Sequence, residues 1–404
     1  MIQLCPTEAH PLSVTKVTVR LCSEKLERVP WEVAPCHLPR LVVVGLNGAV
    51  QKQLHFPSTV GFSIGAVNRA SSSTTGIGGK GQNVCVALSN LQEREGSTHL
   101  IHFCGGRAGA LLEGLLRERE VDIISGVTAS ELRTCTTLID ESSGEITEIV
   151  EPWGGDINLH EADALLALTR STFSGTAGCV LDGVVIAGSL PKGVQAEFPS
   201  QILSALVGSG SLAVGVPVLV DSVHGLPQLL VTGHVGMLKV NAKELIEVAF
   251  GISVATKAAV GDLVCGDSLT KDAAISVSRQ YQALKWIAVT NGPGHSLLFS
   301  CENLVAVGDE KEGRERKNLT YWRYELPTLS KVVSPIGAGD ATTATTLFCW
   351  AAGAPTVDAF HAGLAVGSAS CMMSENSCFE FSTVLTIFRE IRVFLVSEVY
   401  PPMG

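Results

Sequence analysis

The stretch SPIGAGDATTATTLFCWAAG, residues 334–353, places the carboxylate of Asp340 directly behind a turn made of Gly337, Ala338 and Gly339. A run of small and apolar residues follows, which is typical of a helix. One interpretation is helix capping, because Asp is favoured at helix N-termini and Gly in turns. The other is a reaction site, in which backbone N–H groups face an anion and the carboxylate takes a proton. The stretch alone favours capping, so the other motifs must decide.

A second glycine-rich segment, GIGGKGQNV, contains the spacing G-x-G-x-x-G at Gly76, Gly78 and Gly81. A dinucleotide-binding fold needs a hydrophobic strand immediately before this pattern and an acid about 20 residues after it. Polar residues precede the pattern here, and Arg107 replaces the acid, so an NADP site is disfavoured but stays open. A P-loop is excluded because Gly81, and not Ser or Thr, follows Lys80.

A simpler function for this segment remains. Gly78, Gly79 and Gly81 let a ligand approach the backbone at the start of a helix. Lys80 supplies a positive charge there, and Asn83 offers an amide. A flexible turn with a solvated lysine is the alternative. If the segment binds a ligand, a small polyol or a sugar phosphate fits it.

Three further segments come after predicted strands. GSLPKGV, residues 188–194, places Ser189 at the carboxyl end of a parallel sheet, where ligands bind in open α/β folds. KVNAKEL places Asn241 and Glu244 on one face of a starting helix. This pair can hold a hydrated Mg²⁺, although it also fits a capping box. TNGPGHSLLF, residues 290–299, is a glycine turn that serves either a nucleotide contact or only a hairpin.

Short β-branched runs alternate with helical patterns from Leu41 onward. In QNVCVALSNL, for example, Val84, Leu88 and Leu91 recur with helical spacing. Near-continuous apolar strands alternating with helices predict a mostly parallel sheet covered on both faces, which is a three-layer α/β/α, Rossmann-like core. The predicted strands are 41–46, 99–103, 183–188, 216–221, 236–240, 286–290 and 296–300.

Two segments interrupt this alternation. Residues 47–75 and 131–151 are predicted to add antiparallel strands that form a small β lid over a cleft. The charged segment 309–317 is predicted to be a solvated loop. Residues 1–40 show no clear periodicity, so we predict an N-terminal extension of unassigned role followed by one domain over 41–404.

The composition restricts the partners. A net charge of −10 and a pI of about 5.5 argue against nucleic acid or an anionic membrane. Twelve cysteines without a C-x-x-C pair, and no visible signal peptide, predict a reducing, cytoplasmic location. The apolar segment 381–399 contains Arg389, Glu390 and Arg392, so we predict a core-packed helix there and not a membrane span.

The order of GGKGQNVCVAL, GSLPKGV, KVNAKEL, VTNGPGHSLLF and IGAGDATTA resembles the PfkB/ribokinase family of carbohydrate kinases. GLNGAV, LRTCTTLID and TEIVEPWGGDI place the resemblance in the phosphofructokinase/tagatose-phosphate kinase branch. The resemblance implies a ribokinase-like fold and ATP- and Mg²⁺-dependent phosphorylation of a sugar or sugar phosphate. A hexose phosphate, such as fructose or tagatose phosphate, is the favoured acceptor, and two chains are expected to pair through the lid.

The resemblance also implies roles for individual residues. Asp340 would be the general base, and the N–H groups of Gly337, Ala338 and Gly339 would form an anion hole. The residues that would contact the sugar phosphate are Asn47, Gly79, Lys80, Asn83, Arg133 and Ser189. Those that would serve the nucleotide are Asn241 and Glu244, which would hold Mg²⁺ through water, and Thr290, Gly292 and Gly294, which would line the ATP pocket.

Elementary electrostatics agrees with these roles. A helix N-terminus carries about +0.5 of an elementary charge and unpaired N–H donors, and phosphoryl transfer depends mainly on positioning and charge stabilisation. Capping and catalysis by Asp340 are therefore compatible, and the combined motifs favour catalysis.

Three positions depart from the branch. Gly48 stands in place of a proline, Gln51 in place of an acid that holds sugar hydroxyls, and Val240 in place of another proline. The alternatives that stay open are a kinase of an unphosphorylated sugar or nucleoside, a non-catalytic sugar- or nucleotide-binding regulator, and an NADP-linked oxidoreductase.

Overall fold

The computed structural model describes residues 16–21, 38–59, 61–92, 98–174, 180–251, 267–305 and 317–400. Within these ranges the strands are β1 (Lys16–Leu21), β2 (Leu41–Val44), β3 (Ala49–Phe56), β4 (Ser72–Gly78), β5 (Thr98–Gly105), β6 (Asp122–Thr128), β7 (Thr134–Asp140), β8 (Ile146–Val150), β9 (Gly183–Ala187), β10 (Val218–Asp221), β11 (Met237–Asn241), β12 (Trp286–Thr290), β13 (Ser296–Ser300), β14 (Lys317–Glu325) and β15 (Arg392–Tyr400). The helices are α1 (Lys80–Leu91), α2 (Gly106–Arg117), α3 (Leu159–Phe173), α4 (Phe198–Gly208), α5 (Leu226–Leu230), α6 (Ala242–Phe250), α7 (Asp267–Gln280), α8 (Cys301–Val305), α9 (Ala338–Ala351), α10 (Thr356–Ser370) and α11 (Phe381–Glu390).

The main sheet has the strand order β1-β15-β14-β13-β12-β11-β10-β9-β2-β5-β6. All neighbours from β12 to β6 in this order pair in parallel, and the remaining pairs are antiparallel. Strands β2, β9 and β10 are buried along their whole length. Such strands read as continuous apolar runs, and each of the seven strands predicted from the sequence is present.

Helices cover both faces of the parallel strands. The chain moves from β2 to β5 and β6 in one direction and from β6 back to β12 in the other. Because such crossovers are right-handed, α1 and α2 lie on one face and α3 to α7 on the opposite face. Helix α9 packs on α1 and on α10, and α10 packs on α11. The predicted three-layer core is confirmed. No helix in the described ranges is both long and apolar enough to cross a membrane.

The lid is a separate four-stranded sheet with the order β4-β3-β7-β8. Its outer pairs are antiparallel, as predicted, but the central pair, β3 with β7, is parallel. The reason is topological, since both strands leave the same carboxyl edge of the main sheet, after β2 and β6, and so run in the same direction. Strand β4 then returns to the core and leads directly into α1.

The prediction of a single helix over 381–399 is wrong, because α11 ends at Glu390 and β15 begins at Arg392. Strand β15 pairs with β14 on one side and with β1 on the other. A short apolar run fits a strand as well as a helix, so only these distant partners decide its conformation. Strand β1 lies within the predicted N-terminal extension. The predicted loop 309–317 lies outside the described residues, apart from Lys317, which begins β14.

Candidate active site

The two glycine-rich turns meet at the carboxyl edge of the main sheet. One opens α1 and the other opens α9, and these two helices pack together. The Nδ2 group of Asn83 in α1 donates a hydrogen bond of 2.8 Å to Oδ2 of Asp340, the third residue of α9. Asp340 is only 6% exposed. The structure therefore brings the predicted base and one predicted substrate-binding residue into direct contact.

The turn before Asp340 requires glycine at its first position. Gly337 has φ of +84°, and a Cβ atom there would lie 2.9 Å from the backbone nitrogen of Ser377. The Ser377 hydroxyl donates a hydrogen bond of 2.9 Å to the carbonyl of Gly337, which fixes the turn from outside. The N–H group of Ala338 donates to the carbonyl of Pro335 at 3.3 Å. N–H groups in a first helical turn have no partner within their own helix, which leaves this turn suited to an anion.

Burial is the main reason why the pKa of Asp340 is raised, to about 6. The negative charge of Asp221 raises it further. The charges of Lys80 and Lys239 and the hydrogen bond from Asn83 act in the opposite direction. A carboxyl group with a pKa near 6 is deprotonated at neutral pH and is still basic enough to accept a proton from a hydroxyl group in a transition state.

Asp221 is a buried acid that was not among the site residues predicted from the sequence. Its Oδ2 accepts hydrogen bonds from Lys239 Nζ at 2.8 Å and from the Thr343 hydroxyl at 2.6 Å. Its Oδ1 lies 3.2 Å from Lys80 Nζ. Burial alone would raise the pKa of Asp221, but the two lysines hold it well below its usual range. The only sequence signal was its position at the end of the predicted strand 216–221.

Lys80 pairs with two carboxylates. Besides Asp221, its Nζ lies 3.5 Å from Oε1 of Glu244. The charge of Asp221 is the main reason why the pKa of Lys80 lies above its usual range. The Lys80 side chain is nevertheless 41% exposed. Lys80 thus lies between the buried acid and Glu244 of the predicted nucleotide site.

Glycines of the segment 76–81 serve close packing. Gly79 has φ of +99°, and a Cβ there would lie 2.9 Å from Cα of Gly48. A Cβ on Gly81 would overlap Cα of Gly45. Gly76 and Gly78 belong to β4 of the lid, so no parallel strand precedes the pattern. The strand required for dinucleotide binding is therefore missing at this pattern.

The loop after β2 links the core to the lid. Asn47 Nδ2 donates to the Ser189 hydroxyl at 2.8 Å, and Trp153 Nε1 donates to Asn47 Oδ1 at 2.7 Å. The Arg133 guanidinium donates to the carbonyls of Asn47 and Gly48 at 3.1 and 3.3 Å. Three predicted substrate-binding residues thus lie in one hydrogen-bonded group. Trp153 also belongs to this group, although it was not predicted from the sequence as a site residue. Its only sequence signal is its position in the segment TEIVEPWGGDI.

A cavity of about 290 Å³, lined mainly by residues with polar side chains, is bordered by β3 and β4 of the lid and by residues 374–376. Gln51 and Gln53 contribute to its wall. The buried Gln51 Nε2 donates to the Thr137 hydroxyl at 2.6 Å, which leaves Oε1 as the acceptor end of the amide. Gln53 donates to Asn376 at 3.4 Å. Gln51 therefore places a neutral amide with an acceptor oxygen where the phosphofructokinase/tagatose-phosphate kinase branch is expected to have an acid.

The predicted nucleotide residues lie at the ends of β11 and β12. Asn241 and Glu244 form a capping box, with Asn241 Oδ1 accepting from Glu244 N and Glu244 Oε2 accepting from Asn241 N, both at 2.9 Å. Thr290 pairs with Asn241 across the parallel strands. Gly292 and Gly294 lie in the turn of the β12–β13 hairpin, where Gly292 has φ of +54°. The geometry thus agrees with the capping interpretation. The Glu244 side chain is also 26% exposed, so capping does not close it off from a ligand.

The pfkB family carbohydrate kinases match residues 56–377 of this chain. In sequence, the chain is 27% identical over 285 residues to a tagatose-6-phosphate kinase of Staphylococcus epidermidis, which covers 70% of this chain and 77% of that protein. In structure, phosphofructokinase-2 from Escherichia coli in complex with potassium has a TM-score of 0.67 at 22% identity and covers 88% of this chain and 99% of its own. Arabidopsis thaliana ribokinase complexed with ribose and ATP has a TM-score of 0.57 at 17% identity, covering 87% and 99%.

The structural likenesses confirm the ribokinase-like fold, and the sequence relative agrees with the predicted branch. The family match extends over well more than half of the 404 residues. It includes the lid strands β4, β7 and β8, both glycine-rich turns and Asp340. The chain is therefore an enzyme of the pfkB family of carbohydrate kinases.

Proposed function

We propose that this protein is an ATP-dependent kinase of a phosphorylated hexose, with Asp340 as the general base. The observation that carries the proposal is the hydrogen bond between Asn83 and the buried Asp340, which joins the two glycine-rich turns at one site. The name of the sequence relative, tagatose-6-phosphate kinase, supports a hexose phosphate as acceptor.

In this proposal Asp340 accepts the proton of the attacking hydroxyl group. Its pKa of about 6 suits this task at neutral pH. The N–H groups of Gly337, Ala338 and Gly339 stabilise negative charge on the transferring phosphoryl group, helped by the dipole of α9. The N–H group of Ala338 would exchange its long bond to Pro335 for this anion. Positioning and charge stabilisation are the main requirements of phosphoryl transfer.

The acceptor would bind between the lid and the loop after β2. Arg133 is the candidate partner for the sugar's own phosphate, because a guanidinium can bind two phosphate oxygens at once. Asn47, Ser189 and the backbone at Gly79 would contact the sugar hydroxyls. Arg133 donates to the carbonyl groups of Asn47 and Gly48, so its position is already defined.

The donor would be ATP with Mg²⁺. The oxygens of Glu244 and Asn241 suit a hydrated Mg²⁺, because this ion keeps several water molecules and needs few protein ligands. When bound, the ion would neutralise charge on the nucleotide phosphates. Lys80 lies beside Glu244 and would add a further positive charge. Thr290, Gly292 and Gly294 would line the nucleotide pocket at the end of β12.

The direct test is ADP release with Mg-ATP across sugars and sugar monophosphates. We expect turnover with hexose phosphates such as fructose or tagatose phosphate, and little with the free sugars. Sugar binding by calorimetry without ADP release from any acceptor would instead favour the non-catalytic regulator that the amide at Gln51 suggested.

Arg133→Ala separates a phosphorylated acceptor from a neutral one. The variant should raise KM for a hexose phosphate, while kcat/KM for an unphosphorylated acceptor stays the same. Arg117→Ala is the matched control, because Arg117 is 64% exposed and pairs with Glu113 within its own helix. Equal losses for both classes of acceptor would contradict a phosphate contact at Arg133, because they are expected if the guanidinium only holds the Asn47 loop.

We also expect two chains to pair through the lid. Strands β4 and β8 are the edges of the lid sheet, and Ile149 and Val150 on β8 are half exposed. Sedimentation velocity measures the assembly. Ile149→Lys should release monomers if this surface is the interface.

A further inference from the structure

We propose that Lys239 is a positioning residue that joins the Asp221 carboxylate to the backbone carbonyl of Gly339 and so holds the turn that carries Asp340. This inference rests on the proposed role of Asp340 as the general base. Lys239 does not contact the reacting atoms in this account. It acts through the residue that precedes Asp340 in the chain.

The contacts of Lys239 define the role. Its side chain, on β11, is only 5% exposed, and its Nζ donates to Asp221 Oδ2 at 2.8 Å and to the Gly339 carbonyl at 3.0 Å. A buried ammonium group is stable only when its hydrogen bonds are made. Because β11 is an inner strand paired with β10 and β12, these two bonds fix the first turn of α9 relative to the main sheet.

Thr343 closes the group into a ring. Its hydroxyl lies 2.6 Å from Asp221 Oδ2 and 3.0 Å from the Gly339 carbonyl, so it contacts both partners of Lys239. Gly339 has no side chain to block the ammonium group, since a Cβ there would lie 3.3 Å from Nζ. The turn is thus held by a lysine, an aspartate and a threonine from three different elements.

The two lysines that contact Asp221 differ in what they can do. Lys80 is 41% exposed and shared with Glu244, so it can exchange a carboxylate for a phosphate anion. Lys239 is closed off from solvent and has the turn itself as its second partner. Lys239 is therefore the permanent partner of Asp221, and Lys80 is the exchangeable one.

The arrangement also sets the charge around Asp340. The groups that face it are Asp221 on β10, Lys239 on β11, and Lys80 and Asn83 on α1. Asp221 raises the pKa of Asp340 and Lys239 lowers it. Removing the charge of Lys239 should therefore move the acid limb of the pH–rate profile to higher pH, and removing that of Asp221 should move it to lower pH. Loss of packing alone cannot produce these opposite shifts.

The experiment compares Lys239→Met, Asp221→Asn and the double variant with the wild type. For Lys239→Met we expect kcat to fall by about 10²-fold, since a misplacement of about 1 Å has that effect, with the acid limb of kcat/KM at higher pH. For Asp221→Asn we expect the acid limb at lower pH. The double variant removes one charge of each sign, so its acid limb should return towards the wild-type pH.

Lys271→Met is the matched control. Lys271 is another mostly covered lysine, 11% exposed, whose Nζ lies 2.6 Å from Glu398, and it belongs to α7 and not to either glycine-rich turn. The Lys271→Met variant should unfold at a lower temperature than the wild type, while the acid limb of its pH–rate profile stays at the wild-type pH. If Lys239→Met matches this control, with lowered stability and an unmoved acid limb, the positioning role is overturned. If Lys239→Met does not fold, an acid limb in Asp221→Asn that stays or rises overturns it.

Asp340→Asn in the same series separates this inference from the proposed function. An inactive Asp340→Asn with an unmoved acid limb in Lys239→Met refutes only the role of Lys239. Wild-type turnover by Asp340→Asn refutes the proposed base and this inference with it.

Discussion

The two glycine-rich turns look alike in sequence and open two helices that touch, yet their glycines do different work. At the start of α1, Gly79 and Gly81 lie against Gly48 and Gly45, so the absence of side chains lets two backbones pack. In the first turn of α9, Gly339 makes room for a buried ammonium group.

The two turns also differ in where their charged side chains lie. The first turn is filled by neighbouring backbone, and its charged residue, Lys80, reaches outward to Asp221 and Glu244. The second turn keeps its carboxylate, Asp340, buried at the helix N-terminus. Glycine spacing alone does not distinguish packing from chemistry, but the polar partners of each turn do.

The largest effect should come from Asp340→Asn. Removing the proposed base should lower kcat by about 10²–10⁴-fold, the usual contribution of general base catalysis. Asp358→Asn is the matched control, because Asp358 is also the third residue of its helix, α10, and carries no role in the site. Its ADP formation rate should equal that of the wild type. Similar rates for both variants would remove the distinction between the turns.

Gly81→Ala should mainly affect stability. Its Cβ would overlap Cα of Gly45, a backbone atom that cannot turn aside. Overpacking of this kind costs about 1–3 kcal/mol in the free energy of unfolding. Gly76→Ala is the control in the same segment, since a Cβ there meets nothing within 4 Å. Urea denaturation should show a large loss for the first variant and almost none for the second.

Gly337→Ala should affect stability and turnover together. A non-glycine residue at φ of +84° costs about 1–2 kcal/mol, and the added Cβ would also press on Ser377. Gly353→Ala carries the same strain, with φ of +92°, but in open space beyond the other end of α9. A lower kcat only for Gly337→Ala, with a free energy of unfolding at or below that of Gly353→Ala, would indicate that the first turn serves the reaction. Equal kcat values would argue that this turn is only structural.

The smallest effect concerns pH. Wild-type kcat/KM should fall as the pH drops through about 6, because Asp340 gains its proton there and can no longer accept one. Asn83→Ala removes a hydrogen bond that stabilises the charged form, so the acid limb should move to higher pH. A shift to lower pH would mean that Asn83 does not act on the titrating group.

Much of the fold follows from local sequence. Apolar runs such as 183–188 identified the parallel strands, and the capping box at Asn241 and Glu244 fits its pattern. The conformation of 392–400 was missed because it depends on pairing with residues 16–21 and 317–325, which are far away in sequence.

The site shows the same limit. The glycine turns and Asp340 follow local rules for turns and helix termini. Asp221, Lys239 and Trp153 carry no local pattern, because their roles come from hydrogen bonds to residues more than 15 positions away or on other elements. A buried charge needs its partner, and a single sequence does not name that partner.

The most direct test of the account is a crystal structure with a hexose phosphate and a non-hydrolysable ATP analogue. We expect one hydroxyl group of the sugar within about 3.2 Å of the Asp340 carboxylate. The γ-phosphate should face the N–H groups of residues 337–339, with the sugar's own phosphate at Arg133. A sugar bound in the same cleft with every hydroxyl group beyond hydrogen-bonding distance of Asp340 would contradict the central claim.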